Sequence, residues 1–403
     1  MLRKFALLIG IISALPFRLI LLILSPIVLI RFAFVDAPRM GSLILDAELY
    51  LIENKDKFKK KSFDFFIFEK PICNNYLKSM WSRFLLILPE IWFLKMLKRS
   101  YQLFPFGHKN ILKAQNFWNV NNFKILLNTK SHLNFNEKEI HRGNDLIEKL
   151  GIKPGSRWIC FHNRDQKYLE DLKKNKEYDF KGNFEYHKFR NFSIQTMLKA
   201  AEELTKKGYY IVRVGSSQKE KMESENPMII DYSLSKFRSD FGDIFIGGNC
   251  DAYIGSDSGT YLLPFVFRKP TFLVNHLLTT LDEFVTRSYV PYPFIPKHIF
   301  DLKKKRNLSL REIFESGLFK ARRLNQFEKA GVKVISNTPD EICDLAEEAI
   351  QRINGNWKEN KQNEIIQAEF WQIFFKHSGF KRDVEIPTPV CASFLSKNQY
   401  LLN

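Results

Sequence analysis

The sequence predicts an α/β protein with a parallel, doubly wound sheet, preceded by an N-terminal apolar segment that associates with a membrane. From residue 158 onward, short apolar runs alternate with amphipathic helical segments, and this alternation is typical of parallel strands connected by helices. The length of 403 residues exceeds what one hydrophobic core usually fills, so we expect two or three domains. Residues 5–34 are almost entirely apolar, which predicts the membrane segment.

Four residues interrupt this N-terminal segment, namely Pro16, Arg18, Pro26 and Arg31. Neither uninterrupted half reaches the ~20 apolar residues that a spanning helix needs. Two alternatives are favoured: an interfacial helix or re-entrant hairpin broken near Pro16, and a single signal anchor that tolerates an arginine. A cleaved secretory signal fits the charged start, but the apolar stretch is long for one and no clear small-x-small cleavage site follows. The basic start and the basic run at residues 55–61 favour the cytoplasmic side. We therefore expect residues 5–34 to hold the protein at the cytoplasmic face of the inner membrane.

The charge, the cysteines and the missing motifs restrict the classes of partner and of enzyme to which the protein can belong. Lys and Arg number 62 against 44 Asp and Glu, for a net charge of +18, which favours phosphates, nucleic acid or an anionic membrane surface as partners. The five cysteines are scattered and form no C-x-x-C, which argues against a disulfide framework. Because the sequence has no H-E-x-x-H or other metal-ligand spacing, we expect no metal. The absence of G-x-G-x-x-G, P-loop and G-x-S-x-G motifs argues against dinucleotide oxidoreductases, P-loop NTPases and serine hydrolases.

The first domain is predicted element by element from hydrophobic periodicity. In chain order we expect a turn at 39–42, a helix at 43–51, a strand at 62–68, a helix at 78–102 and a helix at 137–150. Gly151 follows the last of these, and glycine commonly ends a helix. We therefore place the domain boundary at about residue 152.

The second domain continues the alternation more sharply. We expect strands at 157–164, 209–215, 228–232, 251–256 and 270–275, and helices at 194–207, 240–247, 259–267 and 338–354. The last helix carries a capping box, with Thr338 as N-cap and Glu341 three residues later. In doubly wound sheets the ligands bind outside the carboxyl ends of the strands, so polar residues that follow the strands are the candidate site residues.

The first candidate group follows the strand at 157–164. It consists of His162, Arg164, Asp165 and Tyr168, with His187, Arg190 and Asn191 further on. A planar guanidinium binds two oxygens at once, so arginines at a strand end are suited to a diphosphate. We expect Arg164 above all to do so. The alternative is a set of satisfied polar residues at a sheet edge.

The second group is the turn between the strand at 251–256 and the next helix, with Ser256, Asp257, Ser258, Gly259 and Thr260. Free amides and the positive end of a helix form an anion site, and the hydroxyl groups add donors. The alternative is an ordinary capped helix. A third candidate is Arg213 with Gly215, at the end of a neighbouring strand and therefore on the same rim.

These blocks resemble a bacterial family of glycosyltransferases of the GT-B type, marked by H-x-R-D-x-x-Y, H-x-x-R-N and G-[ST]-[ND]-S-G before a helix. Arg39-Met40-Gly41 is similar to the Arg-Ile-Gly loop that opens the N-terminal domain of that family. The turn Asp257-Ser258-Gly259 also resembles the donor-site turn of heptosyltransferases, although Leu262 stands where those often have histidine.

The resemblance implies two Rossmann-like domains facing a cleft, the second of which binds a nucleotide-sugar. The domains would be residues 35–152 for the acceptor and 153–355 for the nucleotide-sugar, with residues 1–34 as the membrane segment and 356–403 packing back on the N-terminal domain. The resemblance also implies that the protein is an enzyme, which moves a sugar from a nucleotide-sugar to a surface glycan or lipid-linked acceptor.

The same resemblance implies a metal-independent mechanism with no cofactor beyond the nucleotide-sugar co-substrate. Arg164, Arg190 and the helix after Asp257 would stabilise the diphosphate leaving group, and His162 or Asp165 would be the general base. Two alternatives remain: a basic nucleic-acid-binding protein and a non-catalytic, membrane-associated scaffold. Because the sequence carries no nucleic-acid-binding fold signature, we expect no nucleic acid.

Overall fold

The computed structural model describes residues 2–54, 62–104, 106–113, 117–174, 188–380 and 388–403. The chain divides into two compact units, Met1–Leu133 and Asn134–Asn403. Each unit contains its own parallel sheet with helices. The predicted α/β class with parallel sheets is therefore confirmed.

The first unit is built on a four-stranded parallel sheet in the order β3-β2-β1-β4. Its strands are β1 (Leu29–Val35), β2 (Ser62–Phe68), β3 (Leu86–Leu88) and β4 (Ile111–Leu112). Its helices are α1 (Leu2–Leu24), α2 (Met40–Glu53), α3 (Asn75–Trp81), α4 (Trp92–Leu103) and α5 (Val120–Leu127). The predicted strand at 62–68 is confirmed, and so is the helix predicted at 43–51, although it begins at Met40, within the predicted turn at 39–42.

Strand β1 corrects the expected membrane segment. Residues 29–34 were expected to belong to that segment, but they form most of a central strand that pairs with β2 over its whole length and with β4 at Phe32 and Ala33. A parallel strand buried on both faces has a continuous apolar sequence, and half of a membrane segment has the same composition. The two apolar halves thus have separate structures, a helix and a strand.

The helix at 78–102 is also wrong as a single element. The structure divides this stretch into the end of α3, the edge strand β3 and α4. Pro89 follows β3 directly, and proline disfavours helical backbone in the residue before it. Leu86 pairs with Phe65 of β2, so the short apolar run before Pro89 extends the sheet.

Helix α1 is part of the core of the first unit. Ala14 and Leu21 of α1 are buried in one cluster with Phe32 of β1, Ile67 of β2 and Leu97 of α4. On the same side of the helix, a Cβ atom at Gly10 would lie 2.5 Å from the ring of Trp92. The inner face of α1 therefore covers the sheet beside α4.

Arg18 is the charged residue at the centre of this contact, and its side chain is fully buried. Its guanidinium donates to the backbone carbonyls of Ser100 at 2.7 Å, Phe104 at 2.9 Å and Phe106. It also lies 4.0 Å from the ring centroid of Tyr101. The arginine that interrupts the apolar segment is thus bound inside the unit.

We predict that Arg18→Met destabilises the protein by about 2–4 kcal/mol, because buried carbonyl groups would lose their donor. Urea unfolding followed by circular dichroism measures the difference. Lys109→Met, at an exposed residue of the same unit, is the matched control and should leave the transition unchanged. An Arg18→Met transition that coincides with the wild-type transition would show that these hydrogen bonds do not stabilise the unit.

The second unit contains a six-stranded parallel sheet in the order β10-β9-β8-β5-β6-β7. Its strands are β5 (Trp158–His162), β6 (Tyr210–Arg213), β7 (Ile229–Ile230), β8 (Ala252–Gly255), β9 (Thr271–His276) and β10 (Phe294–Pro296). Counted from β5, this is the 3-2-1-4-5-6 order of nucleotide-binding doubly wound sheets. The predicted strands of this unit are confirmed.

Helices surround this sheet, and a small antiparallel sheet follows it. The helices are α6 (Glu137–Lys149), α7 (Lys167–Lys174), α8 (Leu198–Lys206), α9 (Asp240–Asn249), α10 (Leu262–Val266), α11 (Glu283–Thr286), α12 (Leu310–Glu315), α13 (Leu324–Lys329), α14 (Pro339–Ile353), α15 (Lys361–Ser378) and α16 (Ala392–Lys397). The second sheet has the order β12-β11-β13, with strands β11 (His298–Asp301), β12 (Arg306–Asn307) and β13 (Val332–Ile335). The predicted capping box of Thr338 and Glu341 is present at the start of α14.

The division of the chain differs from the expected one at two places. Helix α6 belongs to the second unit, where Gly143 packs so closely on Phe245 of α9 that a Cβ atom would overlap the ring. The segment 356–403 was expected to pack on the N-terminal domain, but it also belongs to the second unit. There the amide of Ala392, the first residue of α16, donates to Glu348 of α14 at 2.8 Å.

Candidate functional site

The candidate site lies where the strand order of the second sheet reverses, between β5 and β8. His162 ends β5 and pairs in register with Gly255, which ends β8. A Cβ atom at Gly255 would lie 2.4 Å from the backbone oxygen of His162, so only glycine permits this approach. The strand order reverses between these two strands, and in doubly wound sheets the crevice at such a reversal point is the usual ligand site.

Asp257 is the central charge of this site. Its Oδ2 lies 3.0 Å from Nδ1 of His276, the last residue of β9, and its Oδ1 lies 3.9 Å from Nε of Arg190. Burial alone would raise the pKa of this carboxyl, but Arg190, His276 and Arg164 outweigh it and hold the pKa well below its usual range. Asp257 is therefore ionised at every physiological pH.

Lys297 belongs to the same site and was missed in the sequence. It follows β10 directly and is almost completely buried. Its Nζ donates to the backbone oxygen of Asn191 at 3.1 Å and to Oγ of Ser336 at 3.0 Å. Burial lowers the pKa of Lys297 to about 8, and the charge of Asp257 opposes that shift. The strand before it has three residues and ends in proline, so its sequence is typical of a loop.

The described rim is electropositive. The charges of Arg164 and Arg190 act on Asp257, and Asp257 in turn acts on Lys297. Arg190 lies 3.9 Å from the Asp257 carboxylate, and Arg164 and Lys297 are near enough to interact with its charge. Interactions between charges are strong where water is excluded, and arginine forks match the paired oxygens of phosphate groups. The expected juxtaposition of Arg164, Arg190 and Asp257 is thus present.

His162 is a neutral imidazole. Its Nδ1 lies 2.9 Å from the backbone oxygen of Val214, and a carbonyl can only accept, so the proton is on Nδ1. Burial lowers the pKa of His162 to about 4, with the Val214 contact opposing and Arg213 and Arg164 adding to the shift. A general base works best with a pKa near the operating pH, so this ring is poorly suited to the expected role.

Asp165 holds the backbone. Its Oδ1 accepts from the amide of Lys167 at 2.8 Å, and its Oδ2 accepts from the amide of Lys219 at 2.8 Å. The first contact starts α7, and the second fastens the loop after β6 to the loop after β5. Both oxygens therefore stabilise backbone, which favours a structural role over the expected one of general base.

Arg213 corrects a further expectation. Its side chain is fully buried, with Nη1 donating to Asp231 at 2.8 Å and Nη2 donating to Oδ1 of Asn163 at 2.9 Å. Nη1 also donates to the backbone oxygen of Glu220 at 2.5 Å. Position at a strand end did not reveal which way the side chain turns. Arg213 positions the residue next to Arg164 and is not a ligand for phosphate.

Gly215 is required by the backbone beside His162. Its φ of +134° lies in a region that L side chains rarely adopt. A Cβ atom there would also lie 2.5 Å from Nε2 of Gln218 and 3.1 Å from Nδ1 of His162. The expected contribution of Gly215 to the site is thus a tight turn that leaves room for the imidazole.

The turn after β8 has the expected residues in a different helix geometry. Ser258 caps a 3-10 turn, Gly259–Tyr261, and its Oγ accepts from the amide of Thr260 at 3.4 Å. The 3-10 turn continues into α10, which has five residues, so the helix expected at 259–267 is present with a 3-10 first turn. Ser256 is buried, and its amide donates to the backbone oxygen of His162 at 3.1 Å.

Two of the expected ligands are not placed by the structure. Tyr168 lies on α7, but its side chain is outside the described part of the chain. His187 lies outside the described residues altogether. Asn191 is placed at the rim through its backbone oxygen, which accepts from Lys297.

The first unit has a polar rim of its own at the end of β1. Asp36 follows β1 and lies 3.2 Å from Nε of Arg39, the residue before α2. Asp46 of α2 is buried and accepts from Nε1 of Trp118 at 2.7 Å. Burial raises the pKa of Asp46 to about 7; the Trp118 hydrogen bond opposes this shift and the charge of Asp36 adds to it. Arg39 belongs to the predicted turn at 39–42, whereas neither carboxylate was expected at this rim.

We predict that Gly215→Ala destabilises the protein by about 1–3 kcal/mol, because the new Cβ adds backbone strain and a clash beside His162. Thermal unfolding measures the loss. Gly208→Ala is the matched control, because Gly208 also has a positive φ but no atom within 4 Å of its Cβ position. Equal destabilisation by the two substitutions would show that the contact with His162 has no effect.

Comparison with known proteins gives remote structural similarity. No protein-family model matches the sequence, and no curated protein matches it. The chain is similar to ADP-heptose LPS heptosyltransferase II of E. coli (TM-score 0.38, 9% identity, 60% of this chain and 84% of the other). It is also similar to a family 9 glycosyl transferase of Veillonella parvula DSM 2008 (0.36, 10%, 61% and 80%) and to an E. coli heptosyltransferase with ADP-2-deoxy-2-fluoro heptose (0.31, 9%, 61% and 89%).

Proposed function

We propose that this protein is a glycosyltransferase that binds the diphosphate of a nucleotide-sugar at the carboxyl ends of β5 and β8. The observation that carries the proposal is the cluster of Arg164, Arg190 and Lys297 around Asp257 at the point where the strand order reverses. The sequence blocks that contain Arg164, Arg190 and Asp257 also resemble those of GT-B glycosyltransferases. The similarity to solved structures is too remote to add to this argument.

The chemistry requires stabilisation of a leaving nucleoside diphosphate. Negative charge develops on the bridging oxygen as its bond to the sugar breaks, and cations fixed in place before the reaction stabilise that charge most effectively. Arg164 and Arg190 would each bind two phosphate oxygens, while Lys297 would supply a point charge. Side-chain cations can provide this stabilisation themselves, so the proposed mechanism is metal-independent.

Other residues of the site hold these cations, or the backbone next to them, in place. Arg213 fixes Asn163, and Asp165 fixes the two loops on either side of Arg164. Asp257 holds Arg190 near the strand end. We therefore assign positioning roles to these residues and to His162, and no base role to His162 or Asp165. We propose that the acceptor is a surface glycan or a lipid-linked sugar, as the family resemblance implies, and that the reaction takes place at the cytoplasmic face of the membrane.

The direct test is isothermal titration calorimetry of the full chain with UDP, GDP, ADP, CMP and the corresponding nucleotide-sugars. We expect one nucleotide to bind and Arg164→Ala or Arg190→Ala to weaken it by about 10- to 100-fold, since a hydrogen bond to a charged group contributes about 1.5–3 kcal/mol. Arg311→Ala, at an exposed arginine of the same unit, should bind like wild type. No binding by the folded protein, or binding that the substitutions leave unchanged, would contradict the proposal.

Because the pKa of Lys297 is lowered, we predict that nucleotide binding depends on pH. A lysine with a pKa of about 8 is charged below that pH and loses its charge above it, so affinity for a nucleoside diphosphate should fall as the pH rises above about 8. The terminal phosphate is already ionised there, because its pKa is about 6. Calorimetry between about pH 7 and pH 9.5 measures the effect.

In the Lys297→Met variant we expect weaker binding at about pH 7 and a flat profile over the same range, because the titrating charge has been removed. A wild-type profile that is flat, or a variant profile that still falls, would exclude Lys297 from the phosphate site.

A further inference from the structure

We infer that the first unit docks on an anionic lipid bilayer through the outer face of α1, with this helix lying in the plane of the membrane and not crossing it. By length and composition α1 could span a bilayer, with its apolar window at Leu7–Leu24. The orientation of α1 follows from which face of the helix packs on the protein and which face is exposed. It is independent of the proposed glycosyl transfer.

The outer face of α1 is apolar and exposed. Six large apolar residues on it have between 50% and 66% of their surface exposed: Leu8, Ile9, Ile12, Leu19, Ile20 and Ile23. They recur at helical spacing on the side opposite Ala14, Arg18 and Leu21, which are buried. From Leu8 to Leu24 this face is about 24 Å long. A surface helix in water normally has a polar outer face, whereas between Leu7 and Leu24 the exposed polar residue of this helix is Ser13.

The border of this face has the composition of a membrane interface. Trp92 of α4 packs beside Gly10 of α1 and is 57% exposed. One and two turns further along α4 lie Lys95 and Arg99. Lys95 is exposed and also pairs with Glu90 at 3.2 Å. Tryptophan concentrates at lipid headgroups, and basic side chains reach from apolar surface to the headgroup phosphates. The charge of the chain, +18, complements anionic lipid.

The inner face explains why the helix lies flat. In a spanning orientation α1 would have to leave Phe32 and Ile67 of the sheet, which it covers. The guanidinium of Arg18 would leave the carbonyls of Ser100 and Phe104 and enter the hydrocarbon unpaired, which is costly. An in-plane helix keeps every one of these contacts and still buries its outer face in lipid.

The first test is flotation of the full chain with vesicles of phosphatidylethanolamine and phosphatidylglycerol. Ile12 and Leu19 lie two turns apart on the same apolar face of α1. We expect the double variant Ile12→Glu with Leu19→Glu to reduce the bound fraction by at least about ten-fold. The matched control carries Ile140→Glu and Leu302→Glu, which are 46% and 57% exposed in the second unit, and should float like wild type. Circular dichroism verifies that both variants are folded.

Two further measurements separate the in-plane helix from other arrangements. Alkaline carbonate should release the bound wild-type protein from vesicles, and retention in the pellet would overturn the in-plane orientation. Size-exclusion chromatography without lipid should give the same elution volume for wild type and the α1 double variant. A wild-type dimer that the variant abolishes, with vesicle binding unchanged, would instead identify the face as a contact between two copies of the chain.

Discussion

The ion pair network of Asp257 is the constraint on which the second unit's site depends. This carboxylate, just after β8, lies close to Arg190, from the segment before α8, and to His276, from the end of β9. A buried charge is costly unless it is paired, so the three chain segments must meet where they do. The cations are therefore fixed around one point before any ligand arrives, which is what stabilisation of a leaving diphosphate requires.

The strand ends of this site could be predicted from sequence, but the directions of their side chains could not. Arg164 and Arg213 both follow or end parallel strands, and both looked like phosphate ligands. Only packing shows that Arg213 points inward to Asp231 while Arg164 acts on Asp257. Lys297 was missed because β10 is a short strand that ends in Pro296. Neither the hydrophobic period nor the composition of β10 distinguishes this strand from a loop.

The first unit shows the limit of hydrophobicity as a signal. The apolar residues of α1 and β1 were interpreted as one membrane segment, because buried parallel strands and lipid-facing helices have the same residues. Arg18 indicates which face of α1 packs on the protein, because a charged residue in an apolar helix is stable where it finds partners inside the protein. With its inner face on the sheet and its outer face exposed, α1 connects the core of the first unit to the surface proposed to meet lipid.

The most direct test of the central claim is amide hydrogen exchange of the full chain with and without the nucleotide-sugar that binds it. We expect bound nucleotide to slow exchange at residues 163–165, 188–192, 256–260 and next to Lys297, which are separate in sequence and come together only at this rim of the sheet. Protection confined to other strand ends, or none at these four segments under saturating nucleotide, would contradict the proposed site.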